Sequence, residues 1–168
     1  MRKANDSFSL RRILIAAMMI ATTVVVSRLL IIPVPLTHGN INLSDAGILV
    51  AALLLGPWLG GSVGALTGFL LDLLSGYGQY MMFSLIIHGL EGVIAGQVKN
   101  TKNKWTRFYV LLLSICVMVI GYFIVDKLFY GFYASLVGIG GNFIQGIVGM
   151  VIALISTPQI KGKLRSDL

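Results

Sequence analysis

Lysine and arginine fall into three short clusters separated by long apolar runs, and that spacing limits the chain to a helical bundle crossing a membrane. Arg2, Lys3, Arg11 and Arg12 precede the first apolar run. Lys99, Lys102, Lys104 and Arg107 fill one polar segment past mid-chain, and Lys161, Lys163 and Arg165 follow the last run. Only Arg28 and Lys127 of the 13 basic residues lie elsewhere. Short loops rich in these residues stay on the cytoplasmic side, so an even number of crossings is expected between successive clusters. Charged residues make up 11% of the chain, against about 25% in soluble domains, and 57% of it is hydrophobic. The net charge of +7 is therefore read as setting topology and touching anionic lipid heads, not as a nucleic-acid footprint. Cys116, the one cysteine, permits neither an internal disulfide nor a multi-cysteine metal site. Residues 13–32 are long for a signal-peptide core and lack a small-x-small cleavage site before Pro33, so they are read as a retained first span.

Three apolar runs before the middle cluster would leave it on the wrong side. The second run, 46–74, is longer than the about 20 residues one crossing needs, and Gly56-Pro57 interrupts it. Splitting it gives spans at 13–32, 46–56, 58–74, 81–98, 108–125 and 136–157, with Pro158 ending the last. The expected fold is an all-α membrane protein with six transmembrane helices, cytoplasmic N- and C-termini, and an ordered extracellular loop between helices 1 and 2. At about 11 residues the second helix rises only about 16 Å, so it must be shielded by others or steeply tilted. Segments 33–45, 75–80 and 126–135 are expected outside. In the first of these, Pro33-Val34-Pro35 excludes helix, and the turn residues after it suggest a compact loop or short hairpin dipping onto the bundle, with Ser44 or Asp45 capping the next helix.

Ionisable residues inside a span are expensive and are functional candidates. Arg28 and Asp72 lie near outer ends, where they can snorkel or pair with each other. His88 and Glu91 lie deep in the fourth span and share a face with Ser84 and Ala95, at offsets 0, 4, 7 and 11. Glu91 is about 15 Å deep, so it must be protonated, paired or facing a wet cavity, and His88 is within reach. An internal pair holding helices together and a functional site stand level on this ground. The sixth span carries Gly138, Asn142, Gln145 and Gly149 at the same offsets. Asn142 and Gln145 either bridge helices or, with Tyr130, Tyr133, His38 and Asn40 toward the outer side, converge on an outward-open ligand cavity. Gly60, Gly64 and Gly68, and separately Ala17 and Ala21, form small-xxx-small stripes for close packing against another helix or another protein.

No phosphate loop, HExxH zinc motif or GxSxG elbow is present, and no ligand spacing supports a metal, so no cofactor is expected on this chain. An intramembrane enzyme would rest on His88 and Glu91 alone. The same residues are also compatible with a structural scaffold or a self-sufficient carrier.

The chain resembles the S component, the substrate-binding membrane subunit, of an energy-coupling factor (ECF) vitamin transporter. The resemblance spans nearly all of it. It rests most on His38-Gly39-Asn40-Ile41-Asn42-Leu43-Ser44-Asp45-Ala46, Ala51-Ala52-Leu53-Leu54-Leu55-Gly56-Pro57, Asp72-Leu73-Leu74-Ser75-Gly76-Tyr77 and His88-Gly89-Leu90-Glu91-Gly92. It is similar to the branch associated with hydroxymethylpyrimidine, pyridoxine or related precursors. The resemblance implies that residues 1–168 form one substrate-binding domain in a bacterial plasma membrane, capturing its ligand outside. It implies docking through Ala17 and Ala21 onto a transmembrane coupling subunit (T component) driven by two ATPases, which hydrolyse the ATP. By position it implicates His38, Asn40, Asn42, His88, Glu91, Tyr133, Asn142 and Gln145 in substrate binding. A pocket with amides, a histidine and a carboxylate, but only Arg28 as a nearby cation, suits a neutral or weakly basic heteroaromatic ring: hydroxymethylpyrimidine first, pyridoxine next.

Overall fold

The computed structural model describes residues 9–36 and 39–165. Six helices carry the architecture: α1 Leu10–Leu29, α2 Ser44–Leu55, α3 Pro57–Ser75, α4 Met81–Gly96, α5 Lys104–Tyr130 and α6 Phe132–Arg165. Two short strands, β1 Ile32–Pro33 and β2 Asn40–Ile41, pair antiparallel between α1 and α2, with Ile32 opposite Ile41 and Pro33 opposite Asn40. The ordered loop expected between the first two helices is thus a hairpin. The Ile41 side chain lies over Gly141 of α6, which seats the hairpin on the bundle.

Four helices, α1, α3, α5 and α6, are long and apolar enough to cross a membrane. At 12 and 16 residues, α2 and α4 rise only about 18 and 24 Å. As its length demands, α2 is shielded: ten of its twelve residues are buried. Leu49 and Leu53 of α2 pack there with Leu111, Ile115 and Met118 of α5. Leu14, Met18, Leu113, Ile120, Ile144 and Val151 are exposed on α1, α5 and α6, the apolar perimeter of a membrane protein.

The break at Gly56-Pro57 falls where the sequence puts it. Gly56 has φ 89°, a left-handed value that favours glycine, and Pro57 opens α3 where its missing N–H has no helical partner to lose. The glycine stripe of α3 faces α4 and α2. A Cβ at Gly64 would strike the backbone carbonyl of His88, one at Gly68 would meet Ser84 O, and one at Gly60 would strike Ala52 of α2. Gly92 answers from α4, where a Cβ would hit the carbonyl of Gly60. At Gly64 and Gly92 the two backbones therefore touch directly.

Four expectations need correction. Helix α5 runs through 126–130 and α6 starts at Phe132, so the outer segment expected at 126–135 contracts to a turn at Gly131 (φ 87°). No helix breaker precedes Gly131, and Asp126 therefore projects from a helix. Pro158 lies inside α6, which continues to Arg165; membrane helices tolerate proline where neighbouring groups satisfy the freed carbonyl. Neither Ser44 nor Asp45 caps α2. The side chain of Asn42 accepts from Ser44 N–H at 2.8 Å, and Asp45 turns inward. Finally, Arg28 is exposed at the end of α1 while Asp72 is buried and bonded to Ser84, so the two do not pair.

Gly64→Ala is expected to destabilise by about 1–3 kcal/mol through overpacking. Gly140→Ala, whose Cβ would meet nothing within 4 Å, should be neutral or stabilising by up to about 1 kcal/mol from helix propensity. Thermal unfolding in detergent distinguishes the two.

Candidate functional site

Beneath the hairpin lies a small cavity of about 30 Å³, bounded by Val34, Gly39 and Asn40 above and by side chains of α3, α4, α5 and α6 below. Asn42, Asp72, His88, Tyr122, Asp126 and Asn142 face it, and neither lysine nor arginine lines it among the described residues. Gly138 leaves room for the Asp126 carboxylate and Gly149 admits the first turn of α2, so both glycines flanking the two carboxamides serve close approach.

The two carboxamides separate into different roles. Gln145 Nε2 donates to Asp45 Oδ1 at 3.0 Å, and its Oε1 accepts from the backbone N–H of Asn42 at 2.6 Å. It therefore ties α6 to the start of α2 and to the hairpin. Asn42 in turn donates to Asn40 Oδ1 at 2.7 Å. Asn142, buried at 7% exposure, has no hydrogen-bond partner among the described residues and points its amide at the cavity. A buried amide with no internal partner is poised for a ligand group.

A chain of hydrogen bonds crosses the floor. Ser84 Oγ donates to Asp72 Oδ2. Ser84 Oγ and Tyr122 OH lie 2.7 Å apart, Tyr122 OH and His88 Nε2 3.0 Å, and His88 Nδ1 and Glu91 Oε2 2.7 Å. Each hydroxyl has one proton, so the directions follow by counting. With Ser84 giving its proton to Asp72, Tyr122 must donate to Ser84, and His88 must donate Nε2–H to Tyr122. One proton then lies between His88 Nδ1 and Glu91 Oε2, and the pair is net neutral whichever atom holds it. That is how Glu91, fully buried, is tolerated at this depth.

Asp45, His88 and Glu91 each offer an atom of the kind that binds metals, and these atoms lie within 4.8 Å of one another. His88 Nδ1 is 3.8 Å from Asp45 Oδ1 but only 2.7 Å from Glu91 Oε2. Two ligands of a tetrahedral zinc stand about 3.3 Å apart at bond lengths near 2.0–2.1 Å. The closer contact has the length of a hydrogen bond, and the geometry fits a shared proton better than a metal.

At the rim of the cavity, Tyr80 OH donates to Asp126 Oδ1 at 2.6 Å. Burial, reinforced by the Asp126 hydrogen bond and charge, raises the Tyr80 phenol above its ordinary range, so it stays a donor. Tyr80, Tyr130 and Phe129 form an aromatic wall beside it.

Of the residues singled out from sequence, Asn40, Asn42, His88, Asn142 and Gln145 line the cavity, and Glu91 sits behind His88. Tyr133 does not join them. It is 84% exposed, because the turn at Gly131 ends one residue before α6 and directs its first residues outward. His38 lies outside the described residues. Sequence reasoning misses Asp126, Tyr80 and Tyr122 as cavity residues, and it gives Asp45 and Asp72 structural places only. The i,i+4 pair Tyr122 and Asp126, two polar groups on one face near the end of an apolar run, is the available signal.

Residues 7–161 match the protein-family model described as "ECF-type riboflavin transporter, S component". The chain is 42% identical over 160 residues to the "Thiamine precursor transporter HmpT" of Lactococcus lactis subsp. cremoris, covering 95% of this chain and 93% of that one. It is also 34% identical over 129 residues to a Pyrococcus woesei protein described as "Uncharacterized protein in gap 3'region", covering 76% of this chain and 86% of the relative.

Gln145→Ala is expected to lower stability by about 1–3 kcal/mol for each buried group it orphans at Asp45 and Asn42. Asn142→Ala breaks no internal hydrogen bond and should change the melting temperature far less. Parallel unfolding curves check the contrast.

Proposed function

The chain belongs to the family of S components of ECF-type transporters, and we propose that it captures a small vitamin precursor, hydroxymethylpyrimidine first and pyridoxine second. In this reading all six helices cross the bacterial plasma membrane, both termini are cytoplasmic, and the hairpin faces outward over the site. Residues 1–168 act as one binding domain. The chain carries no cofactor and hydrolyses no ATP; a T component and two ATPases supply the energy. Ala17 and Ala21, exposed on α1, are the docking stripe for the T component. Family membership argues against an enzyme, since His88 and Glu91 then serve a transporter component.

The observation that carries the substrate class is the unpartnered Asn142 amide in a cavity rimmed by Asp72 and Asp126 with no lysine or arginine among its described lining residues. An aminopyrimidine offers what this lining lacks: N–H donors for the carboxylates and ring nitrogens for the amide. A phosphorylated precursor would bring negative charge into a site with no lysine or arginine among its described lining residues, which low dielectric penalises heavily. The relative from Lactococcus lactis is described as a thiamine precursor transporter, which agrees with this chemistry. The family description names riboflavin, a fused three-ring ligand, whereas that relative is described by a smaller thiamine precursor. Room for even one ring requires the cavity to open, since drug-sized ligand pockets measure about 300–1,000 Å³.

Calorimetric titration of the purified protein should give saturable one-to-one binding of hydroxymethylpyrimidine. Asn142→Ala and Asp126→Asn should each weaken it by roughly 10-fold or more, Asn142→Ala with little change in the melting temperature. The phosphate ester of the same pyrimidine should bind far more weakly. No binding of hydroxymethylpyrimidine or pyridoxine, or equal binding of the ester, sinks the proposal.

A further inference from the structure

A second, larger depression runs between α1 and α6, with α2 as its floor. It holds about 550 Å³ and is lined by apolar groups such as Met18, Val26, Val50 and Ile152, with Thr22 at its edge. One end reaches Ile15, Leu54 and Ile160. Basic side chains gather at that same end. Arg12 Nη2 donates to Leu55 O, the residue after Leu54. The Lys99 stem passes Gly56, its Cδ 3.3 Å from where a glycine Cβ would stand. Lys161, next to Ile160, donates from Nζ to Lys99 O at 3.0 Å. Burial, and then the charges of Arg12 and Lys161, hold the Lys99 amine below the ordinary lysine range. The four described carboxylates, Asp45, Asp72, Glu91 and Asp126, all belong to the hairpin cavity or its floor. Lys99 and Lys161 therefore stand together with no carboxylate of the described residues between them.

Trp105 and Tyr109 mark the depth of this cluster. They stack at a centroid distance of 6.3 Å on the exposed face of the first turns of α5, two residues either side of Arg107. Exposed tryptophan and tyrosine beside basic residues occupy the headgroup level of a bilayer.

We propose that the groove holds one acyl chain of an anionic phospholipid, with the phosphate seated on Lys99 and Lys161 and assisted by Arg12. The slot is lined mostly by apolar groups, with Thr22, Thr23 and Ser156 among them, and is cationic at one mouth, which is the pattern of such a lipid. An apolar partner helix fits it less well, since it would leave the lysine pair at the mouth without an anion. An anionic head also relieves the crowding of the two lysines, where a zwitterionic head brings its own cation against them. The site is independent of whatever ligand the hairpin cavity takes.

The test uses the full chain in mixed micelles containing phosphatidylglycerol or phosphatidylcholine, read by native mass spectrometry and thermal unfolding. One phosphatidylglycerol should be retained per chain and should raise the melting temperature, whereas phosphatidylcholine should exchange away. Lys99→Gln combined with Lys161→Gln should weaken phosphatidylglycerol retention by roughly 10-fold or more. Thr22→Trp, on the exposed side of α1, should block it by filling the slot. Equal retention of both lipids by the unaltered protein overturns the proposal without recourse to any variant. An equal stabilisation by inorganic phosphate would make this a free-anion site and also overturn it. So would a Thr22→Trp protein that keeps its lipid but no longer assembles with the T component, which would give the groove to that partner.

Discussion

Direct backbone contact between α3 and α4 is the constraint from which the rest of the structure follows. Gly60, Gly64 and Gly68 on one helix, and Gly92 on the other, bring backbone against backbone along the seam, with Ala65, Val93 and the edge of the His88 ring packed beside it. In a membrane, where lipid tails are as apolar as leucine, such close packing is a principal source of helix association. It also fixes function-bearing atoms. With His88 and Ser84 contributing their carbonyls to the seam, their side chains are held to one side of it, where Asp72 of α3 meets Ser84. Tyr122 then completes the hydrogen-bonded chain from α5, bridging Ser84 and His88.

Short helices follow from the same arrangement. Because α3 and α4 sit so close, α2 can nest against them, and Ala52 touches the position of Gly60. Buried on nearly all sides, α2 presents Asp45 to the interior at its first turn, where Gln145 and the neighbouring His88 meet it. The polar floor of the cavity is thus assembled from every helix except α1.

Much of the fold was legible because membranes simplify the problem. Apolar runs, the Gly56-Pro57 break and the hairpin after Pro33 each follow from a local rule, and each has its counterpart in the structure. The ends were less legible. Gly131 stops α5 five residues later than the polar Asp126 suggested, and Pro158 does not stop α6, because helical ends in a bundle are decided by neighbours and not by composition. In the candidate site, the shared face of His88 and Glu91 and the face of Asn142 and Gln145 could be read from spacing. Which carboxamide is free and which is a brace could not, since Asp45 and Gln145 are 100 residues apart in the chain. Tyr133 lies away from the cavity for a related reason: proximity along α6 says nothing about direction beside a turn with a left-handed glycine.

The helices also differ in height around the perimeter. At about 24 Å, α4 falls short of a hydrocarbon layer of about 30 Å, whereas the 27 residues of α5 rise about 40 Å. In the proposed six-span arrangement such a body has no single hydrophobic thickness, so surrounding lipid must stretch on one flank and compress on the other, or the body must lean. Each ångström of misfit carries a fraction of a kcal/mol. The preferred inclination of this protein is therefore set partly by the acyl length of its surroundings, which makes the bilayer itself an elastic load on any rocking motion.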